Sequence, residues 1–370
     1  MPTLGLYIHI PFCKAKCIYC DFYSLPRAEE RMDAYGAALL RRFAAWQDKC
    51  AAYTVDTVYF GGGTPSYLGQ ARLSRLLAGI FTHFRVAEDA EITLEANPDS
   101  AQDVSALRAL REAGFNRISL GMQSAQDAEL KRIGRIHTHE ETVRAVAAAR
   151  EAGFDNLSLD LIYGLPQQTA DGWMENLRAA AALSPEHLSC YGLKVEEGTP
   201  LAAMTVSLPD DEAQSEMYLA AVDFLAEAGY GQYEISNFCR AGRESRHNAR
   251  YWALSEYLGF GCGAHSDFGG ERFGIARDMD AFLRGEDVFS ERAVISPSER
   301  ESERVMLSLR TAKGLDLSSY PRAAAAEDFF HRLEGEGLCR KCEGRWALTP
   351  RGFLVSNAVI VQVLEKLGLE

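Results

Sequence analysis

Three cysteines near the amino terminus, Cys13, Cys17 and Cys20, follow a short apolar run with the spacing C-x3-C-x2-C. Three thiolates on one loop can hold three irons of a [4Fe-4S] cluster and leave the fourth iron without a protein ligand. The amino and carboxylate groups of S-adenosylmethionine suit such an open iron. Chelation puts the sulfonium where one electron breaks a carbon–sulfur bond and releases a 5′-deoxyadenosyl radical. A zinc site is the competing reading, yet zinc ordinarily draws four ligands in paired C-x2-C units, and no second pair lies nearby. Cys339-x2-Cys342 is half of such a unit and reads as an incidental feature of a hairpin. Cys50, Cys190 and Cys262 read as ordinary buried thiols, and Cys239 stands out only by its nearness to a histidine motif.

The elements that must position this loop come from hydrophobic periodicity. Short β-branched and aromatic runs at Leu4–Ile10, Thr54–Phe60, Glu91–Glu95, Arg117–Met122, Asn156–Ile162 and His187–Val195 alternate with helical stretches near Glu29–Asp48, Gln70–Phe84, Ala101–Ala113, Thr138–Ala152 and Asp171–Leu183. Six strand–helix units joined by short connections imply parallel strands with right-handed crossovers, hence an α/β fold and a curved, partly open barrel. Ligands of such folds gather at the carboxyl ends of the strands. There stand the cysteines, the glycine run Gly61–Pro65, Glu95, Gln123, Asp160 and Lys194.

A further helix, Asp210–Ala228, leads into an aromatic, glycine-rich and histidine-rich segment. The chain is predicted to divide into a core at residues 1–236, a connecting segment at 237–296 and a terminal module at 297–370. In that module a helix, a second helix at Ala323–Glu336, a hairpin and a last helix resemble a winged helix. Its acidic setting favours a packing or lid role over DNA reading.

The 370 residues are 47% hydrophobic and 25% charged, with a formal net charge of -13. That balance disfavours nucleic acid and allows at most peripheral contact with an anionic membrane. No apolar run reaches the roughly 20 residues that span a bilayer, and no basic region precedes the apolar start, so the chain reads as cytoplasmic. An odd count of nine cysteines suits reduced thiols.

LYIHIPFCKAKCIYCDF, GGGTP, LEANPD, GMQS and LDLIYGLPQQT, in this order, resemble the branch of radical-SAM proteins that holds the oxygen-independent coproporphyrinogen III oxidases (HemN) and the heme chaperones (HemW). The resemblance implies a partial (β/α)6 barrel with a HemN-type terminal domain, a [4Fe-4S] cluster on Cys13, Cys17 and Cys20, and S-adenosylmethionine held by Gly63, Thr64, Glu95, Gln123, Arg135 and Asp160. It also counts Tyr7 and Tyr19 among the cofactor-binding residues. Barrel packing is the alternative for Tyr7 and for His9 beside it.

Two departures point within that branch. Phe22 stands where the oxidases carry a fourth cysteine, and no arm precedes the cluster motif in this sequence. Both disfavour an oxidase of porphyrin biosynthesis and favour a heme carrier. His247-Asn248-Ala249-Arg250-Tyr251-Trp252 matches the HNxxYW pattern of the carriers, which makes His247 a candidate axial ligand of heme, with the aromatic residues as stacking partners. A hydrogen-bonded histidine at a helix start is the alternative. His265 and Arg246 are further candidates, the latter as a partner of a heme propionate. Implied partners are heme-accepting proteins, such as respiratory hemoproteins, and an electron donor to the cluster.

Overall fold

The structure, a computed structural model, describes residues 1–286 and 288–369. Six strands form its centre: β1 (Thr3–Ile10), β2 (Thr54–Gly62), β3 (Val86–Ala96), β4 (Arg117–Gln123), β5 (Leu157–Tyr163) and β6 (His187–Gly192). They pair in chain order and all in parallel. Side chains alternate across each strand. On β1, Leu4, Leu6, Ile8 and Ile10 are buried against the helices, and on β4 Ile118, Leu120 and Met122 do the same. Each such side chain contributes about 1.5–3 kcal/mol by leaving water. The opposite positions are polar: Tyr7 and His9, Thr57 and Tyr59, Glu91, Thr93 and Glu95, Arg117 and Ser119, Ser158 and Asp160.

The covering helices are α1 (Met32–Trp46), α2 (Gln70–His83), α3 (Val104–Ala113), the short α4 (Asp127–Arg132), α5 (His139–Glu151) and α6 (Ala170–Ala182). Their starts carry expected caps. The Asp103 carboxylate accepts from Ser105 and Ala106, Thr138 and Glu141 form a reciprocal box, and Thr169 accepts from Gly172.

The sheet stays open. After α7 (Asp211–Glu227) the short strands β7 (Gly231–Gln232) and β8 (Asn237–Cys239) extend the β6 edge antiparallel. Then α8 (Arg246–Trp252) leads to β9 (Tyr257–Phe260), which pairs in parallel with β1 at the other side. Three antiparallel strands, β10 (His265–Phe268), β11 (Glu271–Ile275) and β12 (Phe289–Val294), complete a sheet of twelve among the described residues, with α9 (Met279–Arg284) inserted before the last. The segment 237–296 therefore supplies strands to both flanks of the barrel.

The terminal module consists of α10 (Pro297–Ser308), α11 (Ala323–Gly335), the hairpin β13 (Cys339–Cys342) and β14 (Arg345–Leu348), α12 (Pro350–Leu354) and α13 (Ser356–Leu367). It has its own core, in which Trp346 stacks on Phe330 at 5.2 Å, and that core takes in Tyr218 of α7. Among the described residues no helix is long and apolar enough to cross a membrane.

Candidate functional site

The cysteine loop leaves β1 at Pro11 and is fastened at several points. Phe12 and Cys13 form a two-residue parallel ladder with Leu25 and Pro26. The Ile18 amide donates to the Ile133 carbonyl at 3.2 Å, and the Cys20 amide to the Cys17 carbonyl at 3.3 Å. Cys13 is buried, Cys17 and Cys20 are half-buried, and all three are free thiols. They share one wall of a cavity of about 460 Å³ at the carboxyl ends of the strands. Burial pushes the Cys13 thiol up and the Cys20 thiol up to about 11. Deprotonation therefore needs a cation on the sulfurs, the usual coupling of metal binding to proton release. Among the described residues no three Cys, His, Asp or Glu side chains gather about a single point as one ion requires. The thiols stand around a common space, a donor set that suits a polynuclear iron–sulfur group better than a lone zinc.

The rest of the cavity is built from the other strand ends. Gly62 has φ +114°, and a side chain there would strike the His9 ring at 2.6 Å. A Cβ at Gly63 would meet the Phe12 carbonyl at 2.9 Å and the Cys13 sulfur at 3.0 Å, so the bare backbone lets the two loops touch. The Thr64 hydroxyl donates to Cys13 Sγ at 3.4 Å and accepts from Asn97 Nδ2 at 3.1 Å. Arg135 is held by the Asn97 side chain and the Gly121 carbonyl, each at 2.7 Å, and directs a second nitrogen at Cys17 Sγ at 3.7 Å. Glu95 accepts from the Tyr59 hydroxyl at 2.7 Å and the Gly62 amide at 3.1 Å. Burial nevertheless lifts its carboxyl to about 7, with Asp160 adding to the rise. Burial also raises Asp160, which accepts from Ser119 at 3.2 Å. Tyr19, Gln123 at the end of β4, and Lys194, paired with Glu196 at 2.6 Å, line the same cavity.

Of the residues read as a heme site, only Asn248 of the histidine motif lines this cavity. His247 is 0% exposed, with Nδ1 hydrogen-bonded to Thr57 at 2.9 Å and Nε2 to Tyr251 at 2.9 Å. Its ring stacks on Tyr59 at 5.2 Å, and burial holds it neutral, down to about 3. Both ring nitrogens are thus hydrogen-bonded within the protein. The arrangement is that of a hydrogen-bonded histidine at a helix start, the alternative reading of the motif, and its amide donates to Glu91 at 3.0 Å. Arg246 is taken by Asp89, and the exposed His265 pairs with Glu291 at 2.9 Å, away from the cavity. Tyr7 is not part of the cavity wall; its hydroxyl bonds His9 at 3.0 Å, and His9 donates to the Tyr23 carbonyl at 2.9 Å.

Several cavity residues escaped the sequence reading, among them Tyr59, Asn97, Arg117, Ser119 and Ser189. Alternation on β4 was the available signal: Arg117, Ser119, Gly121 and Gln123 occupy one face. Among the described residues none of 297–369 lines the cavity, and the terminal module packs on α7. Cys339 is buried, its thiol directed at the Phe330 carbonyl, and Cys342 is exposed, as a hairpin strand dictates.

Residues 7–180 match the Radical SAM superfamily and residues 295–355 the HemN C-terminal domain. The chain is 36% identical to the heme chaperone HemW of Escherichia coli (strain K12), across 97% of its own length and 98% of that protein. It is 38% identical to the heme chaperone HemW of Haemophilus influenzae, across 97% of each. Among solved structures, coproporphyrinogen III oxidase (HemN) from Escherichia coli, a radical SAM enzyme, aligns with a TM-score of 0.85 at 25% identity, covering 98% of this chain and 90% of that one.

Proposed function

This chain belongs to the radical SAM superfamily and, within it, to the family of the heme chaperones HemW; on that premise we propose that it binds heme and passes it to acceptor hemoproteins, with a [4Fe-4S] cluster and S-adenosylmethionine as resident cofactors. The observation that carries the reading is the meeting of three free thiols and the Glu95, Gln123, Arg135 and Asp160 side chains around one cavity, in a chain alike to heme chaperones along nearly its whole length.

Cys13, Cys17 and Cys20 would hold the cluster. Thr64 steadies the first sulfur by donating to it, and the Arg135 guanidinium offsets negative charge at the second. When bound, the cluster supplies one electron to the sulfonium of S-adenosylmethionine. Glu95 and Asp160 would accept from its ribose hydroxyls or ammonium, and Arg135 would meet its carboxylate. Phe22, 61% exposed, takes the place of the fourth cysteine of the oxidases and weighs against decarboxylation of a porphyrinogen.

The test is an anaerobic titration of reconstituted protein with heme, followed by mixing with an apo-hemoprotein and, separately, with coproporphyrinogen III. The reading expects saturable heme uptake, transfer to the acceptor and no release of carbon dioxide. Absence of saturable heme uptake, or decarboxylation of coproporphyrinogen, overturns it.

A further inference from the structure

The cavity floor holds a charge that the cofactor-facing residues do not use. Arg117 opens β4, six positions before Gln123 and on the same face, so its guanidinium lies deep in the barrel, away from the strand ends that carry the cysteines. It is 2% exposed and lines the cavity. Its Nε has no acceptor among the described residues, and neither does the hydroxyl of Thr93, its register partner on β3.

Glu91 is the nearest natural counterion, yet both of its oxygens are engaged, accepting the amides of Arg246 and His247 at 3.0 Å each. It balances Arg117 through space while fastening the first turn of α8. Asp160 is likewise engaged by Ser119. The guanidinium, part of the cavity lining, is thus left with an unpaired Nε. A buried arginine without acceptors is costly, and a fold that needed only a filler there would do better with an apolar side chain.

We propose that the barrel floor is a second ligand subsite, in which Arg117 binds the carboxylate of an aliphatic acid group. A guanidinium meets a carboxylate as a two-pronged fork. A dianionic phosphate suits the floor less well, because it would bring a second negative charge in among Glu91, Glu95 and Asp160. The acid group belongs either to a small free acid or to a side chain projecting from a larger ligand. In the second case the inference rests on the heme reading, since heme carries two propionates.

The test uses the full chain, reconstituted under anoxic conditions, as wild type, Arg117→Gln and Arg117→Lys. Binding of [13C]propionate, inorganic phosphate, heme and heme dimethyl ester is measured, with iron content and the melting temperature of each variant. We expect saturable propionate binding that Arg117→Gln weakens about tenfold or more and Arg117→Lys weakens less, with phosphate the poorer ligand. A parallel loss for heme but not for its dimethyl ester assigns the acid to the tetrapyrrole; loss for propionate alone assigns it to a small acid. Iron content should stay unchanged.

Unsaturable propionate binding, equal binding by wild type and variants, or tighter binding of phosphate overturns the proposal. A fall in melting temperature with propionate binding intact marks Arg117 as the structural countercharge of Glu91 and overturns it too. Should Arg117→Gln fail to fold, the Arg117→Lys titration decides alone. Failure of wild type to bind heme removes the heme reading while the propionate measurement still tests the subsite.

Discussion

Glu95 holds its proton near neutrality because its burial outweighs two good donors, the Tyr59 hydroxyl and the Gly62 amide. An unfolded glutamate titrates at 4.5 and this one at about 7, so the folded chain binds the extra proton between those values. This group's contribution to stability is complete below the lower value and is lost as pH rises through the upper one. Glu95→Gln should therefore show a flatter dependence of its urea midpoint between pH 5 and 8 and a higher midpoint at pH 8, with weaker S-adenosylmethionine binding. His247 supports the opposite kind of prediction. Its ring fills a closed site with two hydrogen bonds, so His247→Ala should cost about 2–4 kcal/mol in denaturant unfolding. Heme stoichiometry should not change. The cysteines were legible because iron–sulfur ligation requires particular atoms at short spacing. His247 was not, because an HNxxYW run has the same look whether Tyr251 stacks on a macrocycle or, one helical turn along, bonds the histidine.

Strands and helices with full periodicity were equally readable, since each of the six parallel strands carries one apolar face and one polar face. The flanking strands were not: β7, β8, β9 and β10 have two to four residues, and β12 is largely exposed, so none repeats long enough to set a period. What the loops demand is seen best at Gly63, where the end of β2 touches the cysteine loop. Adding one methyl there presses on the Phe12 carbonyl and the Cys13 sulfur. Gly63→Ala should lower stability by about 1–3 kcal/mol, as overpacking does. Reconstituted iron per chain should fall with it, as measured by colorimetric iron analysis.

Across the whole molecule, the terminal module is bound to the barrel through α7 and through the segment that follows it. The Ile235 amide donates to Arg310 and the Ala312 amide to Tyr233, while Tyr218 and Leu219 belong to the module's core. A chain ending at residue 296 would expose that apolar face. It should melt at least about 5 °C lower or aggregate on heating, as followed by circular dichroism and light scattering. The net charge of -13 and the packing of the module against α7 agree with a structural role for this part. The measurement that tests the central claim most directly is electron paramagnetic resonance of the reduced, anaerobically reconstituted protein with and without S-adenosylmethionine, alongside the triple variant Cys13→Ser, Cys17→Ser, Cys20→Ser. About four irons per chain and a spectrum altered by S-adenosylmethionine are the predicted result, with neither in the triple variant. A spectrum indifferent to S-adenosylmethionine, or a triple variant that keeps its iron, would contradict the account.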